Sequence, residues 1–479
     1  MNSFDQTYDL IVVGGGPAGT KAAVEAASAG KSVLLIEKDL LGGTCLNRGC
    51  IPTKALLRSS GLFRELADNG AALGVPAEAK LDLAAMYTHV AETILSLRTG
   101  LEDRMKRLKV QVVRGTAKVL DAHTVCVEQT VGSVPDAEAA GNDLDNVAAG
   151  KAEPIAYTGS HLLICTGSRP ATPPIPGSDL PGVCNSDVLL AGLEALPERV
   201  VIIGGGVIGA EFSEFFTNLG SKVTVLEALP RLLANMDKDF GQSLASSLKK
   251  AGADVQVNAR VSEIRKAEPL EVVFTDKKGN PGQVPADLVL ICTGRRPVTE
   301  GLFPADMETA LGMVRGFVPV DMTSYETAVP GIYAVGDIVA GGLQLAHAAE
   351  AEAVRAVRHM FGLGEGKDLS LVPSCVFTQP EIASVGLTAE QAKEAGYAVK
   401  TRKQLTSANA KAVVEGAGRG YSQLVYEEGT GRLLGAHLLC PHASEMIGPL
   451  GVLIGVHGTI EDLDRTVFPH PTVSEILPL

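Results

Sequence analysis

The 479 residues include no tryptophan, no C-x-x-C spacing and only 8 cysteines. Cysteines this sparse exclude a secreted disulfide framework, and without C-x-x-C the usual cue for zinc is missing, so no metal is expected. Basic runs are absent as well. Acids outnumber bases by 55 to 42, for a net charge of −13, and neither nucleic acid nor anionic membrane is expected as a partner. The longest apolar candidate, Met446 to Val456, is bracketed by Glu445 and His457, far short of the roughly 20 residues that a membrane span needs. The opening MNSFDQTYDLIVVGGG is acidic and enters a strand too early for a signal peptide, so a cytoplasmic protein is expected. What is present is 46% apolar residues, 20% charged residues and 53 glycines. That composition rules out a disordered tail, a coiled coil or a collagen and suits a globular chain of two or three domains.

The chain repeats itself. Asp9-Leu-Ile-Val-Val-Gly-Gly-Gly recurs as Val200-Val-Ile-Ile-Gly-Gly-Gly. Each copy runs from an apolar strand through G-x-G-x-x-G (Gly14, Gly16, Gly19; Gly204, Gly206, Gly209) into a helical stretch. A second strand follows, Ser32 to Glu37 or Lys222 to Glu227, and ends in an acid. In this context the first glycine permits the tight turn, the second lets backbone N–H groups reach a pyrophosphate, and the third packs helix against strand. Glu37 and Glu227 are expected to accept hydrogen bonds from ribose hydroxyls, and a carboxylate at 227 favours NAD over NADP because it repels a 2′-phosphate. A second echo joins Leu162-Leu-Ile-Cys-Thr-Gly-Ser-Arg-Pro to Leu288-Val-Leu-Ile-Cys-Thr-Gly-Arg-Arg-Pro, read as crossing points between domains.

The expected fold is therefore α/β, with two interleaved Rossmann-like dinucleotide-binding domains, residues 1–160 with 295–350 and residues 161–294. A C-terminal α+β domain over 351–479 follows, with a strand at 433–439 and helices at 388–395 and 444–455. Residues 128–153 carry six acids and one lysine and read as a solvated hairpin loop.

Directly after the first acid comes Leu41-Gly-Gly-Thr-Cys45-Leu-Asn-Arg-Gly-Cys50-Ile-Pro-Thr-Lys54. Two cysteines five apart on a regular helix have Cα atoms about 7.5 Å apart along the axis, too far for a disulfide. Cys45 is therefore expected in an irregular turn supplied by Gly42, Gly43, Asn47 and Gly49. Pro52 suits the first turn of a helix that Cys50 opens, with Lys54 one turn on, a setting that favours a reactive thiolate. A redox-active pair follows. Cys126, Cys165, Cys184, Cys292, Cys375 and Cys440 read as small buried hydrophobes. Near the C-terminus, His470 has Glu475 about one turn away to orient its ring, which makes it a candidate base.

These motifs, together with Tyr333-Ala-Val-Gly-Asp337 and His470-Pro-Thr-Val-Ser-Glu475, resemble those of the pyridine nucleotide-disulfide oxidoreductases, in particular the branch that reoxidises dihydrolipoyl groups. The resemblance extends over nearly the whole chain. It implies FAD in the first nucleotide unit, held by Glu37, Lys54, Gly115, Thr166, Gly167, Ser168, Asp337 and the stretch Leu345, Ala346, His347 and Ala348. It implies NAD in the second, lined by Glu227, Val261 and Gly294, and a Lys54–Glu211 pair beside the flavin. Cys45, Cys50, His470 and Glu475 are the implied catalytic residues. The C-terminal domain is implied to form a homodimer in which His470 completes the partner's disulfide site. The implied partner is a lipoyl domain of a 2-oxoacid dehydrogenase or a glycine-cleavage carrier. Ala18 and Pro469 depart from the residues usual at their positions. Two rivals stand beside this reading, an NAD(P)H-dependent reductase of another disulfide such as glutathione, and a chiefly structural subunit.

Overall fold

A computed structural model describes residues 7–76, 78–129 and 153–478, so most of the acidic segment read as a hairpin loop lies outside the described residues. Its flanks are paired, with Val127 opposite Ile155 on neighbouring antiparallel strands. The chain forms two compact units, one of residues 1–52, 89–170 and 295–369, the other of 53–88, 171–294 and 370–479.

In the first unit, strand Thr7–Val13 lies between Val33–Glu37 and Ile155–Ile164, all parallel. Gln111–Val119 extends this sheet beside Val33–Glu37, and Ile332–Ala334 adds to Ile155–Ile164. The two longer strands also pair, at their other ends, with antiparallel Thr124–Gln129. Both faces of the parallel part are covered. Leu10, Val12, Val33 and Leu35 pack among the alanines of helices Pro17–Ser28 and Ala346–Phe361. Ile11, Val13, Leu34 and Ile36 pack with Leu302, Phe303 and Ile338. This two-sided burial is why the strands read as unbroken apolar runs, each such side chain contributing about 1.5–3 kcal/mol.

The second unit repeats the parallel pattern in the order Asp254–Val257, Lys222–Glu227, Arg199–Ile203, Leu288–Ile291, Val183–Asn185. A three-stranded antiparallel sheet (Arg260–Arg265, Leu270–Thr275, Pro281–Ala286) adjoins it in sequence. The C-terminal part of the unit is a five-stranded antiparallel sheet. Its strand Leu433–Leu439 is buried at every residue, because helix Ala443–Gly455 covers one face while Ala392 packs on Leu434 and Phe240 lies beside His437. Thr388 forms a capping box with Gln391 and starts helix Ala389–Glu394, as its S/T-x-x-E/Q spacing dictates. Among the described residues no helix is long and apolar enough to cross a membrane, and no group of three or more His, Cys, Asp or Glu could hold a metal ion.

Candidate active site

Both glycine-rich turns are shaped by close backbone packing. Gly14 has φ +107° and a side chain there would overlap the Cys165 carbonyl; one at Gly19 would overlap the Gly14 carbonyl. Gly16, by contrast, faces nothing nearer than Gly43 Cα at 4.0 Å. The second turn reproduces this. Gly204 has φ +108° with the Cys292 carbonyl at 2.5 Å from its ideal Cβ, Gly209 abuts the Gly204 carbonyl, and Gly206 has nothing within 4 Å. In each case the outer glycines are demanded by the turn and the middle one leaves bare backbone at a helix N-terminus, where a phosphate is favoured.

The acids are already at work in these turns. Glu37 accepts from Gly15 N at 2.6 Å and Asp39 N at 2.8 Å. Glu227 accepts from Gly205 N at 2.5 Å and Leu229 N at 2.6 Å. A carboxylate has about four acceptor sites, so each acid braces its turn and keeps capacity for a ribose hydroxyl. Burial raises the Glu37 pKa, against the opposing pull of the Gly15 N–H and the Lys38 charge.

Beside the first turn, Thr166 Oγ1 is buried without a hydrogen-bond partner, an orphaned polar atom that a bound nucleotide would satisfy. With the open backbone at Gly16, this fits a dinucleotide in the first unit. Gly167 has φ +69°. Ser168 Oγ donates to Asp337, and Arg295 donates to Ser168 Oγ at 2.6 Å and to its carbonyl at 2.8 Å, placing a guanidinium 3.9 Å from Asp337. Asp337 sits on the single turn Gly336–Ile338, which lies against Ala18 of the first fingerprint and whose leading N–H donates to buried Glu352 at 2.6 Å. Leu345 caps helix Ala346–Phe361, so Ala346, His347 and Ala348 form its first turn. Gly115 lies in Gln111–Val119. In the second unit Val261 lies at a bulge two residues beyond Ala259, whose N–H donates to the Glu227 carbonyl, and Gly294 (φ +121°) has open space where its Cβ would be. Arg295 and Glu352 were not singled out from the sequence. Arg295 stands in Thr-Gly-Arg-Arg-Pro, the echo of Thr-Gly-Ser-Arg-Pro, where it takes the place that Ser168 holds in the first copy.

The cysteine segment is fastened to the first turn, since Gly42 N donates to Gly15 O at 2.8 Å and Gly43 leaves no room for a Cβ against Gly16. Cys45 does not lie in an irregular turn as expected; it sits within a short helix, Gly43–Arg48. Gly42 (φ +94°) and Gly43 (φ +56°) bend the chain ahead of Cys45, and between the two cysteines the break falls at Gly49 (φ −148°, ψ −112°), after which Cys50 opens helix Cys50–Asn69 with Pro52 in its first turn. A Cβ on Gly49 would lie 2.8 Å from Thr44 O and 3.3 Å from Cys45 Cα. The chain thus turns tightly at Gly49 and no continuous helix carries both cysteines. Asn47 Nδ2 ties the short helix to the turn before it by donating to Leu41 O at 3.0 Å and Gly43 O at 2.9 Å. Of the six cysteines expected to be buried, Cys165 and Cys440 are buried, whereas Cys126, Cys184, Cys292 and Cys375 are only partly so. Burial pushes Cys184 and Cys375 up to about 11 and Cys440 to about 12, and raises Cys165 and Cys292 as well.

Further along the same helix, Lys54 Nζ lies 3.0 and 2.9 Å from the two oxygens of Glu211, which is 2% exposed. Glu211 also accepts from Phe377 N at 3.1 Å, and the Phe377 ring centroid is 4.6 Å from the ammonium. One turn on from Glu211, Glu214 accepts from Gln379 N at 2.7 Å, and burial pushes its carboxyl up to about 8. Neither Phe377 nor Glu214 was marked by any sequence motif. At the C-terminus, His470 Nδ1 lies 3.0 Å from Glu475 Oε1, while Glu475 Oε2 accepts from Thr472 N at 2.8 Å. These two contacts, the backbone N–H first, hold the Glu475 carboxyl below its usual range. The His470 side chain is 73% exposed, with Nδ1–H donating to the carboxylate and Nε2 left to accept a proton. The cysteine pair belongs to one compact unit and the His–Glu pair to the other.

The pyridine nucleotide-disulphide oxidoreductase family matches residues 8–353, and that family's dimerisation domain matches residues 372–479. The dihydrolipoyl dehydrogenase of Chlorobaculum parvum is 37% identical over 476 residues, covering 98% of this chain and 95% of its own. That of Bacillus subtilis is 34% identical over 478 residues, with 98% and 96% covered. Among solved structures, LpdA from Mycobacterium tuberculosis gives a TM-score of 0.84 at 28% identity. The HOCl-induced flavoprotein disulfide reductase RclA from Escherichia coli gives 0.81 at 30% identity, and each pairing covers 98% of both chains. The chain belongs to the pyridine nucleotide-disulphide oxidoreductase family.

Proposed function

We propose that the chain is the subunit of a homodimeric, cytoplasmic dihydrolipoyl dehydrogenase that oxidises the dihydrolipoyl group of a lipoyl domain and reduces NAD. The observation that carries this reading is the cysteine pair bent about Gly49 and tied to the first dinucleotide turn, in a chain that bears a second such turn. FAD is assigned to residues 1–160 with 295–350 and NAD to residues 161–294, with residues 351–479 forming the dimer. Thr166, Ser168, Asp337 and Glu37 hold FAD together with Gly14, Gly16 and Gly19; Glu227 and Gly204, Gly206 and Gly209 hold NAD.

His470 Nε2 takes the proton of one substrate thiol. The thiolate attacks Cys45 Sγ, the Cys45–Cys50 bond breaks, and Cys50 leaves as a thiolate. The second substrate thiol then displaces Cys45 from the mixed disulfide, which closes the lipoyl ring and leaves the enzyme as a dithiol. Bound FAD supplies the two-electron relay from this dithiol to NAD, a transfer that thiolates cannot make directly. Lys54, fixed between Glu211 and Phe377, provides a positive charge whose position does not drift.

Anaerobic titration with dihydrolipoamide, and separately with NADPH and oxidised glutathione, tests this through the flavin absorbance. Reduction by dihydrolipoamide followed by turnover with NAD is expected. Turnover of glutathione by NADPH without response to dihydrolipoamide would make the chain a reductase of another disulfide.

A further inference from the structure

We propose that Asn409 is a positioning residue for His470, an inference that rests on the reading of His470 as the base. Asn409 is 6% exposed and uses both ends of its amide. Its Oδ1 accepts from Ala412 N at 2.8 Å and so caps helix Ala410–Val414. Its Nδ2 donates to two successive carbonyls of the C-terminal tail, Thr472 at 3.1 Å and Val473 at 3.3 Å. The hydrogen bonds then continue outward. Thr472 N orients Glu475 at 2.8 Å, and Glu475 orients His470 Nδ1 at 3.0 Å. A buried amide is thereby linked through one turn of backbone to a ring that is itself mostly in solvent.

Val473 is buried in the C-terminal core, and the hydrogen bonds that the sheet gives to this tail lie on the far side of Glu475. Ser422 Oγ donates to Ile476 O at 2.8 Å, Arg402 to Leu477 O at 2.8 Å, and Gln404 to Pro478 O. Asn409 holds the near side, where two bonds to consecutive carbonyls fix the peptide planes that begin the turn Val473–Ile476. Without it, Thr472 and its N–H lose the reference that aims the carboxylate. The charged groups facing the tail are Glu475 and, from strand Val399–Leu405 and helix Ile460–Arg465, Arg402 paired with Asp464 at 2.8 Å.

The flavin-loaded homodimer and its variants Asn409→Ala, Asn409→Asp, Glu475→Gln and His470→Gln are compared in two ways. One is the pH profile of reduction by dihydrolipoamide, and the other is hydrogen exchange in residues 468–478. Asn409→Asp keeps the acceptor that caps helix Ala410–Val414 and loses the donors to the tail, so it separates capping from positioning. Both Asn409 variants are expected to slow reduction by about tenfold to a hundredfold, the cost of a small misplacement, with KM for NAD unchanged and protection at 472–477 lost. The pH profile is expected to depart from wild type, as it does in Glu475→Gln, because in each case the ring loses its aligned carboxylate. Wild-type exchange at 472–477 in both variants would overturn the proposal, as would an Asn409→Asp profile identical to wild type. Wild-type reduction by His470→Gln would instead refute the base, whatever the exchange shows.

Discussion

Glu227 braces its own turn through two backbone N–H groups before any ribose reaches it, which changes how its replacement should be read. Glu227→Arg removes those acceptors as well as the ribose contact and supplies a partner for a 2′-phosphate. It should weaken NAD by about 1–3 kcal/mol and move the ratio of kcat/KM for the two cofactors toward NADP; an unmoved ratio would refute the NAD assignment. Cys45→Ser should abolish dihydrolipoamide oxidation while retaining flavin, since the flavin contacts assigned above come from other residues. Absorbance should also show a long-wavelength band from the Cys50 thiolate, absent in Cys50→Ser. Glu214 makes a pH-dependent statement. Its carboxyl, up at about 8 in the folded chain against about 4.3 when unfolded, holds a proton that the unfolded chain releases between those values. Stability therefore falls as pH rises through that window. Glu214→Gln, which cannot ionise, should gain on wild type from pH 5 to pH 9 by about 2–4 kcal/mol. Equal Tm differences at the two pH values would mean that Glu214 does not titrate in this window.

At the scale of elements, the two strand–turn–helix units were legible because their constraints are local. Glycines at Gly14, Gly19, Gly204 and Gly209 answer to carbonyls within the turn or at the end of the neighbouring strand, and the acids close the same turns. Gly19→Ala and Gly209→Ala should accordingly separate the two sites. The first is expected to lose flavin on gel filtration, the second to keep flavin and lose NAD affinity in a fluorescence titration. The bend at Gly49 was legible only in part, because spacing says that a regular helix must break and not which residue breaks it. Apart from the Lys54–Glu211 pair that the resemblance implied, the surroundings of Lys54 were hidden for a different reason. Phe377 and Gln379 reach helix Val207–Asn218 from more than 150 residues away, and no periodicity in either segment records that approach. Asn409 is similar: its N-cap role is a local signal, whereas its two bonds to the tail depend on how the C-terminal sheet folds.

For the molecule as a whole, the proposed dimer makes each active site a joint product of two chains. Mixed Cys45→Ser and His470→Gln subunits, each inactive alone, should recover activity. With complete exchange half the dimers are mixed and each has one intact site, giving roughly a quarter of wild-type activity if the sites act independently. No recovery between tagged subunits shown to exchange would place His470 outside the partner's site. The first parallel sheet carries a further consequence. Its strand Ile332–Ala334 pairs with Leu162–Ile164, and residues 165 to 331 leave the ribosome in between, an interval of roughly ten to thirty seconds at about 5–20 residues per second. The second parallel sheet, whose strands run from Val183 to Ile291, is synthesised entirely within that interval. A nascent chain thus holds every strand of the later sheet while the earlier one still waits for its edge strand and for Asp337, so the nucleotide unit whose fingerprint is translated second is the first to have all the strands of its parallel sheet.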